Sequence, residues 1–193
     1  PRSTLEWVKA FPRQMVIPPN GTQVVRFVAA PPSDLADGEY WGRIVVRSKD
    51  GQKEIPQASA EGAITTKLNM IMQTAIMIKY RTGSLNSEVE VSHSSTQRTD
   101  TSIQVTVDLT NKGNVSYVGV LTCRLLDKEK KEIARLATDL AVYRELRRRL
   151  ELLTKTPADK YTVEISVTTE GRTDIAPEDI IAGNKIFSSF EVE

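Results

Sequence analysis

Apolar and polar residues alternate with a period of two along much of this chain, and turn-forming residues interrupt the alternation at intervals of about ten residues. In the segment 103–109, Ile, Val, Val and Leu alternate strictly with Gln, Thr and Asp. A period of two directs one set of side chains to a core and the other to water, as on a β-strand. Turns at this spacing are typical of a β-sandwich rather than of βαβ units, so the pattern predicts an all-β chain.

The second half of the chain contains enough of these segments for one complete sandwich. Strands are predicted at 103–109, 117–126, 161–168 and 186–192, with a turn at 111–114. With the strands expected in the middle of this half, the pattern approaches seven strands over about one hundred residues, which is the immunoglobulin-like arrangement.

Residues 128–153 allow two interpretations. Their apolar positions approximate helical spacing, and charged helix formers lie between them. We interpret the segment as two strands that meet near Glu145, because the sandwich would otherwise lack its middle strands. A helix stays open as the alternative.

The first half predicts a hairpin and then two strands. Residues 15–17 and 22–28 flank a Pro-Pro-Asn-Gly turn, in which Asn-Gly can adopt positive φ. Asp-Gly then introduces a strand at 39–46 with aromatic and β-branched residues. Residues 66–80 form one long alternating segment, for which a helix is the alternative, since Met, Leu and Lys favour helices.

A flexible turn at 81–84 is the predicted linker, because the alternating pattern restarts after it. We therefore predict two immunoglobulin-like β-sandwich domains in tandem. The first comprises residues 1–82 and the second comprises residues 83–193.

The charged and reactive residues exclude several classes of function. Lys and Arg number 26 and Asp and Glu number 25, so no global field attracts nucleic acid or an anionic membrane. No apolar stretch is long enough for a membrane span. Cys123 is the only cysteine and lies in an apolar stretch, which favours a buried thiol. His93 is the only histidine and lies among Ser, Thr and Gln, which favours a solvated loop position.

Paired carboxylates are the remaining catalytic candidates. Asp34 with Asp37, and Glu178 with Asp179, fall in predicted loops without an accompanying acid, base or metal constellation. They fit turn and helix-start positions, and a short helix is expected at 174–179. The chain is predicted to be no enzyme and to use no cofactor or metal.

Two smaller features each allow two interpretations. Tyr161 begins the penultimate strand, either as a tyrosine corner whose hydroxyl ties the strand to the preceding loop or as an ordinary edge tyrosine. The three arginines at 147–149 form either an anion patch or an exposed run that gives solubility and protects a sheet edge.

Three motifs of the first half follow one another in an order known from one protein family. They are Pro-Asn-Gly-Thr-Gln-Val-Val-Arg-Phe at 19–27, Tyr-Trp-Gly-Arg-Ile at 40–44 and Ile-Met-Ile-Lys-Tyr-Arg at 76–81. This series resembles the periplasmic chaperones of chaperone/usher pili. The resemblance covers most of residues 11–83, and across 84–193 it consists of sandwich periodicity.

The resemblance implies a strand that is lent to a partner. In that family the last long strand of the first domain completes the fold of a pilus subunit by β-augmentation, and its alternate apolar side chains fill the subunit's pockets. Aligned on Tyr80 and Arg81, the donor positions are Leu68, Met70 and Met72. The same alternation would arise if these residues lined the first domain's own core, so both readings stay open.

The chain departs from the family at the carboxylate anchor. The family holds the subunit's terminal carboxylate with a first-strand Arg and a Lys on the long strand. Met77 stands at the Lys position and cannot bind a carboxylate, whereas Lys79 could replace it in a shifted register. The Arg would lie upstream of Pro1, so we expect either a fragment or an incomplete sandwich that needs a partner strand.

The resemblance therefore implies a non-enzymatic, chaperone-like protein of the periplasm that binds subunits of a pilus or surface fibre, with an usher as a further partner. The alternative is a structural surface or scaffold protein with tandem immunoglobulin-like domains and no chaperone activity. Met77 at the anchor position favours this alternative.

Overall fold

A computed structural model describes residues 2–48, 71–155 and 160–192, and these residues form an all-β protein. The all-β prediction is confirmed. Contacts divide the chain into a first unit, Pro1–Asp34 with Tyr40–Tyr80, and a second unit, Leu35–Glu39 with Arg81–Glu193. The strands are β1 (Val8–Phe11), β2 (Arg26–Ala29), β3 (Gly38–Arg47), β4 (Gln73–Thr82), β5 (Val89–Arg98), β6 (Ser102–Asn111), β7 (Tyr117–Leu126), β8 (Glu132–Val142), β9 (Glu145–Leu153), β10 (Thr162–Thr168) and β11 (Ile186–Glu191).

Seven strands, β5 to β11, form two antiparallel sheets in the described residues of the second unit. One sheet has the order β5-β6-β9 and the other the order β11-β10-β7-β8. Alternate residues of each inner strand enter the shared core, as the sequence pattern predicts. On β6 these residues are at most 1% exposed, and they are Ile103, Val105, Val107 and Leu109. Burial of each such side chain contributes roughly 1.5–3 kcal/mol, so this core stabilises the unit.

Residues 128–153 form two strands, β8 and β9, joined by Tyr143 and Arg144. The two-strand interpretation is confirmed and the helix is wrong. Leu136 and Leu140 are four residues apart, a spacing that fits one face of a helix and equally one face of a strand. Pairing of β8 with β7 decides between the two, because it satisfies the backbone of β8 in a sheet.

A buried tyrosine closes the connection before β10. The hydroxyl of Tyr161 lies 2.9 Å from the Thr154 hydroxyl, seven residues upstream, and the Tyr161 ring is 5% exposed. The hydroxyl reaches back to the end of β9, as the corner interpretation expects, but this contact is with a side-chain hydroxyl and not with the backbone group that defines a tyrosine corner. The short helix expected near 174–179 is a 3₁₀ turn at Pro177–Asp179, in the connection from β10 to β11.

The first unit contains the antiparallel pair of β1 and β2. The turn predicted at 18–21 is present, with φ of 60° at Asn20 and a 2.8 Å hydrogen bond from the Gly21 N–H to the Pro18 carbonyl. The flanking strands are corrected, because residues 15–17 form no strand and β2 begins only at Arg26. Prolines on both sides of 15–17 lack the N–H that a ladder needs, so pairing moves upstream to β1.

Strands β3 and β4 pair with each other. They run antiparallel, because Ser48 after the end of β3 bonds to Met72 before the start of β4, while Glu39 near the start of β3 reaches Arg81 near the end of β4. The strand predicted at 39–46 is confirmed as β3. Of the long segment 66–80, residues 66–70 lie outside the described residues, and β4 begins at Gln73.

Candidate functional site

The first unit leaves much of its apolar surface uncovered. Among the described residues, fourteen of the seventeen exposed large apolar side chains belong to it, whereas two of the twenty-three buried ones do. Exposed large apolar side chains that are concentrated in one part of a protein can mark a site of association. The first unit is therefore the candidate binding surface.

A cluster of aromatic rings forms the buried part of the first unit. Trp7 packs edge-on against Tyr40 and Tyr80, with ring centroids 6.2 and 5.0 Å apart. The guanidinium of Arg2 lies 5.8 Å from the centre of the Tyr40 ring, which is a favourable cation–π geometry. These rings cover one another, and each of the three strands β2, β3 and β4 still has exposed apolar side chains, which include Phe27, Val45 and Ile76.

Met72 is the predicted donor residue that the structure describes, and its side chain is 66% exposed. Its backbone is held in place, because its N–H donates to the Ser48 hydroxyl and its carbonyl accepts from the Ser48 N–H, both at 2.9 Å. Ile76 has the same strand parity and is 47% exposed. The other predicted donors, Leu68 and Met70, lie outside the described residues.

Lys79 and Met77, the residues considered for the carboxylate anchor, lie on β4. Lys79 is half-buried and Met77 is 38% exposed. Both have the parity opposite to Met72 and Ile76, because successive side chains of a strand point to opposite faces. The two predicted elements of the site, the donor face and the basic anchor, are therefore on different sides of the strand.

A buried carboxylate that the sequence pattern did not indicate joins the ends of β3 and β4 within the second unit. Glu39 is 2% exposed and accepts hydrogen bonds from the Ser116 hydroxyl at 2.6 Å and from the Arg81 Nε at 3.0 Å. A buried charge needs such partners to offset its lost hydration. The alternating pattern does not predict that Glu39 is buried, because adjacent strand residues should face opposite sides and its neighbour Tyr40 is buried as well.

Cys123, His93 and Asp37 lie on different elements of the second unit. Cys123 is fully buried, and burial raises its pKa to about 12, so the predicted core thiol is confirmed. His93 is exposed as expected, but it lies on β5 beside a register shift after Val91 rather than in a loop. Asp37 accepts the N–H of Ser84 at 3.0 Å, a turn role.

Within residues 2–48, 71–155 and 160–192, no group of three His, Cys, Asp or Glu side chains could hold a metal ion. Glu178 and Asp179 are exposed on the 3₁₀ turn. No helix in this part of the chain is long and apolar enough to cross a membrane.

The three arginines at 147–149 do not act as one patch. Arg147 forms two 2.7 Å hydrogen bonds with Asp108, and this pairing lowers the pKa of Asp108 and raises that of Arg147. Arg149 is exposed on the same side of β9, whereas Arg148 is half-buried on the other. The strand alternation separates them, so a single anion site formed by all three is excluded.

Comparison of the chain with models of protein families, with curated proteins and with solved structures finds no match in any of the three.

Proposed function

We propose that this chain is a non-enzymatic, chaperone-like protein that binds subunits of a pilus or surface fibre by lending them a β-strand from its first unit. The periplasm is the proposed compartment and an usher is the proposed further partner. The observation that carries the proposal is the exposure of apolar side chains just before β4 and in its first half, with Met72 at 66% and Ile76 at 47%.

Exposure of Met72 favours the donor reading over the core reading. A residue that lined the first unit's own core would be covered by that unit, and Met72 is not. Its backbone is nevertheless bonded to Ser48 through both its N–H and its carbonyl, so the exposed side chain stands on an anchored main chain. Methionine also adapts to irregular pockets, which suits a protein that binds several related subunits.

Strand donation predicts that side chains of only one parity contribute to binding, whereas non-specific hydrophobic association makes no such distinction. In β-augmentation, side chains of one parity fill the partner's pockets and the others point away. Met72 and Ile76 have one parity, and Ile71 and Met77 have the other, although Ile71 and Met77 are also exposed, at 41% and 38%.

The test compares two matched double variants, Met72→Ser with Ile76→Ser, and Ile71→Ser with Met77→Ser. Each is used as bait for affinity capture from the host periplasm, and captured proteins are identified by mass spectrometry. We expect wild type and the second variant to capture an incomplete pilus or fibre subunit. The first variant should capture at least about tenfold less of this subunit, which corresponds to about 1.4 kcal/mol of binding free energy.

Equal loss in both variants would contradict donation by one face. Absence of any fibre subunit from the wild-type capture would contradict the chaperone function itself, provided that tryptophan fluorescence shows a folded first unit.

The closed core of the second unit favours a second candidate function, a structural surface or scaffold protein. Such proteins use complete sandwiches as spacers, and Met77 in place of a basic anchor residue agrees with that use. Recovery of the protein as a stable component of an isolated surface fibre, rather than free in the periplasm, would support this candidate.

A further inference from the structure

Arg148 places a charge on the core-facing side of β9. Along this strand the core-facing residues alternate with exposed ones, and Leu150 and Leu152 are 4% and 1% exposed. Arg148 has the same parity as these leucines. In the sheet it lies opposite Val107 of β6, which is fully buried.

Packing alone does not account for an arginine at this position. The Nε of Arg148 is buried and has no hydrogen-bond partner, while the side chain as a whole is half-buried. Because the residue is half-buried and not fully buried, part of its side chain stays in contact with water, as the heads of long basic side chains do. A leucine there would bury apolar area without leaving a buried donor unsatisfied.

The position of β9 at the edge of its sheet gives a reason for an arginine at position 148. β9 is the last strand of the sheet β5-β6-β9, and no strand of the described residues pairs with its outer edge. An outer edge presents N–H and C=O groups that another chain can pair with, and inward-pointing charges are one means by which proteins prevent this.

We propose that Arg148 prevents a second copy of this chain from adding a strand at β9. A strand docked on this edge would cover the rim and remove water from the guanidinium, which has a high free-energy cost without a new partner. The proposal is independent of what the first unit binds.

The test is the self-association of the full chain by sedimentation velocity, with Arg148→Met as the main variant because methionine keeps the length and removes the charge. We expect its self-association constant to exceed that of wild type by at least about tenfold. Hydrogen exchange should show new protection of β9 amides in the associated form.

Two controls separate the inward charge from net charge. Arg149→Met removes a charge from the exposed side of the same strand and should associate like wild type, and Arg148→Lys keeps an inward charge and should do the same. Arg148→Gln, polar and neutral, replaces the methionine variant if the latter does not fold. The proposal is overturned if the folded neutral variants associate no more than Arg149→Met, or if association protects the first unit and not β9.

Discussion

Ile165 and Ile76 are both strand isoleucines with apolar neighbours of the same parity, yet Ile165 is fully buried and Ile76 is 47% exposed. Ile165 lies on β10, which pairs with β7 and β11 and faces the second sheet of its unit. Ile76 lies on β4, whose sheet contains β3 as the other strand among the described residues. A strand pattern therefore shows which side chains share a face, and the number of covering strands decides whether that face is buried.

The difference separates two uses of the same local pattern. In the second unit, two sheets cover each other and the alternation produces stability. In the described residues of the first unit, two-stranded sheets leave much of the alternation exposed, and isolated two-stranded sheets are marginal unless another element packs on them. A partner strand would supply that cover, which connects the architecture to the proposed strand donation.

The largest expected effect comes from making the same substitution in both units. Ile165→Ala should lower the free energy of unfolding of the second unit by about 3–4 kcal/mol, because it leaves a cavity in a closed core. Ile76→Ala should cost the first unit less than about 1 kcal/mol, because its side chain is already half in water.

Denaturant titration with two probes measures both effects. The two tryptophans, Trp7 and Trp41, report on the first unit, and amide exchange of β6 and β10 reports on the second. Similar losses from the two substitutions would show that Ile76 is covered in solution and would contradict the comparison.

A smaller effect is expected from the buried carboxylate. Glu39→Gln should lower the free energy of unfolding of the second unit by about 2 kcal/mol, because Arg81 loses its charged partner and the Ser116 site loses a charged acceptor. The matched control is Glu90→Gln, which breaks the exposed Lys112–Glu90 pair and should change the free energy by less than about 0.5 kcal/mol. Equal effects of the two substitutions would mean that Glu39 is not buried as described.

The smallest expected effect is a pH dependence of the second unit. The hydrogen bond with Arg147 lowers the pKa of Asp108, and the hydrogen bond with Arg172 lowers that of Asp174. An aspartate with a lowered folded-state pKa stabilises the fold above its unfolded pKa of about 4, and this contribution disappears as the pH falls through the folded-state pKa. Stability should therefore decrease in acid.

Denaturant midpoints measured between about pH 6 and about pH 3 test this linkage. Asp108→Asn should make the decrease shallower, and Arg147→Gln should do the same without adding to it in the double variant, because both substitutions remove one pair. An unchanged slope in both single variants would contradict the assigned cause.

Much of the second unit was predictable because its signals are local. The alternation of β6, the turn before β7 and the apolar ends of β10 and β11 each need only neighbouring residues to be read. The strands of 128–153 were harder, because leucines four residues apart fit a helix and a strand equally. The role of Tyr161 was open for a different reason, because only the folded structure shows that its hydroxyl meets Thr154.

The candidate site was predictable only in part. The parity that groups Met72 with Ile76 follows from sequence, whereas the exposure of that face depends on which strands cover it. The hairpin in the first unit was misplaced because pairing partners there are set by proline positions on both sides, and β1 gives only a weak pattern of its own.

The sequence by itself determined that the chain is built of strands, where most turns fall, and that Cys123 is a core thiol, because periodicity, turn chemistry and local hydrophobicity are properties of adjacent residues. Only the tertiary structure decided that Glu39 is buried against Ser116, that Arg148 points toward a core, and that the described apolar side chains are mostly covered in one unit and mostly exposed in the other. These outcomes depend on contacts between residues far apart in the chain. A local pattern shows which residues share a face, but it does not show which distant residues pack on that face.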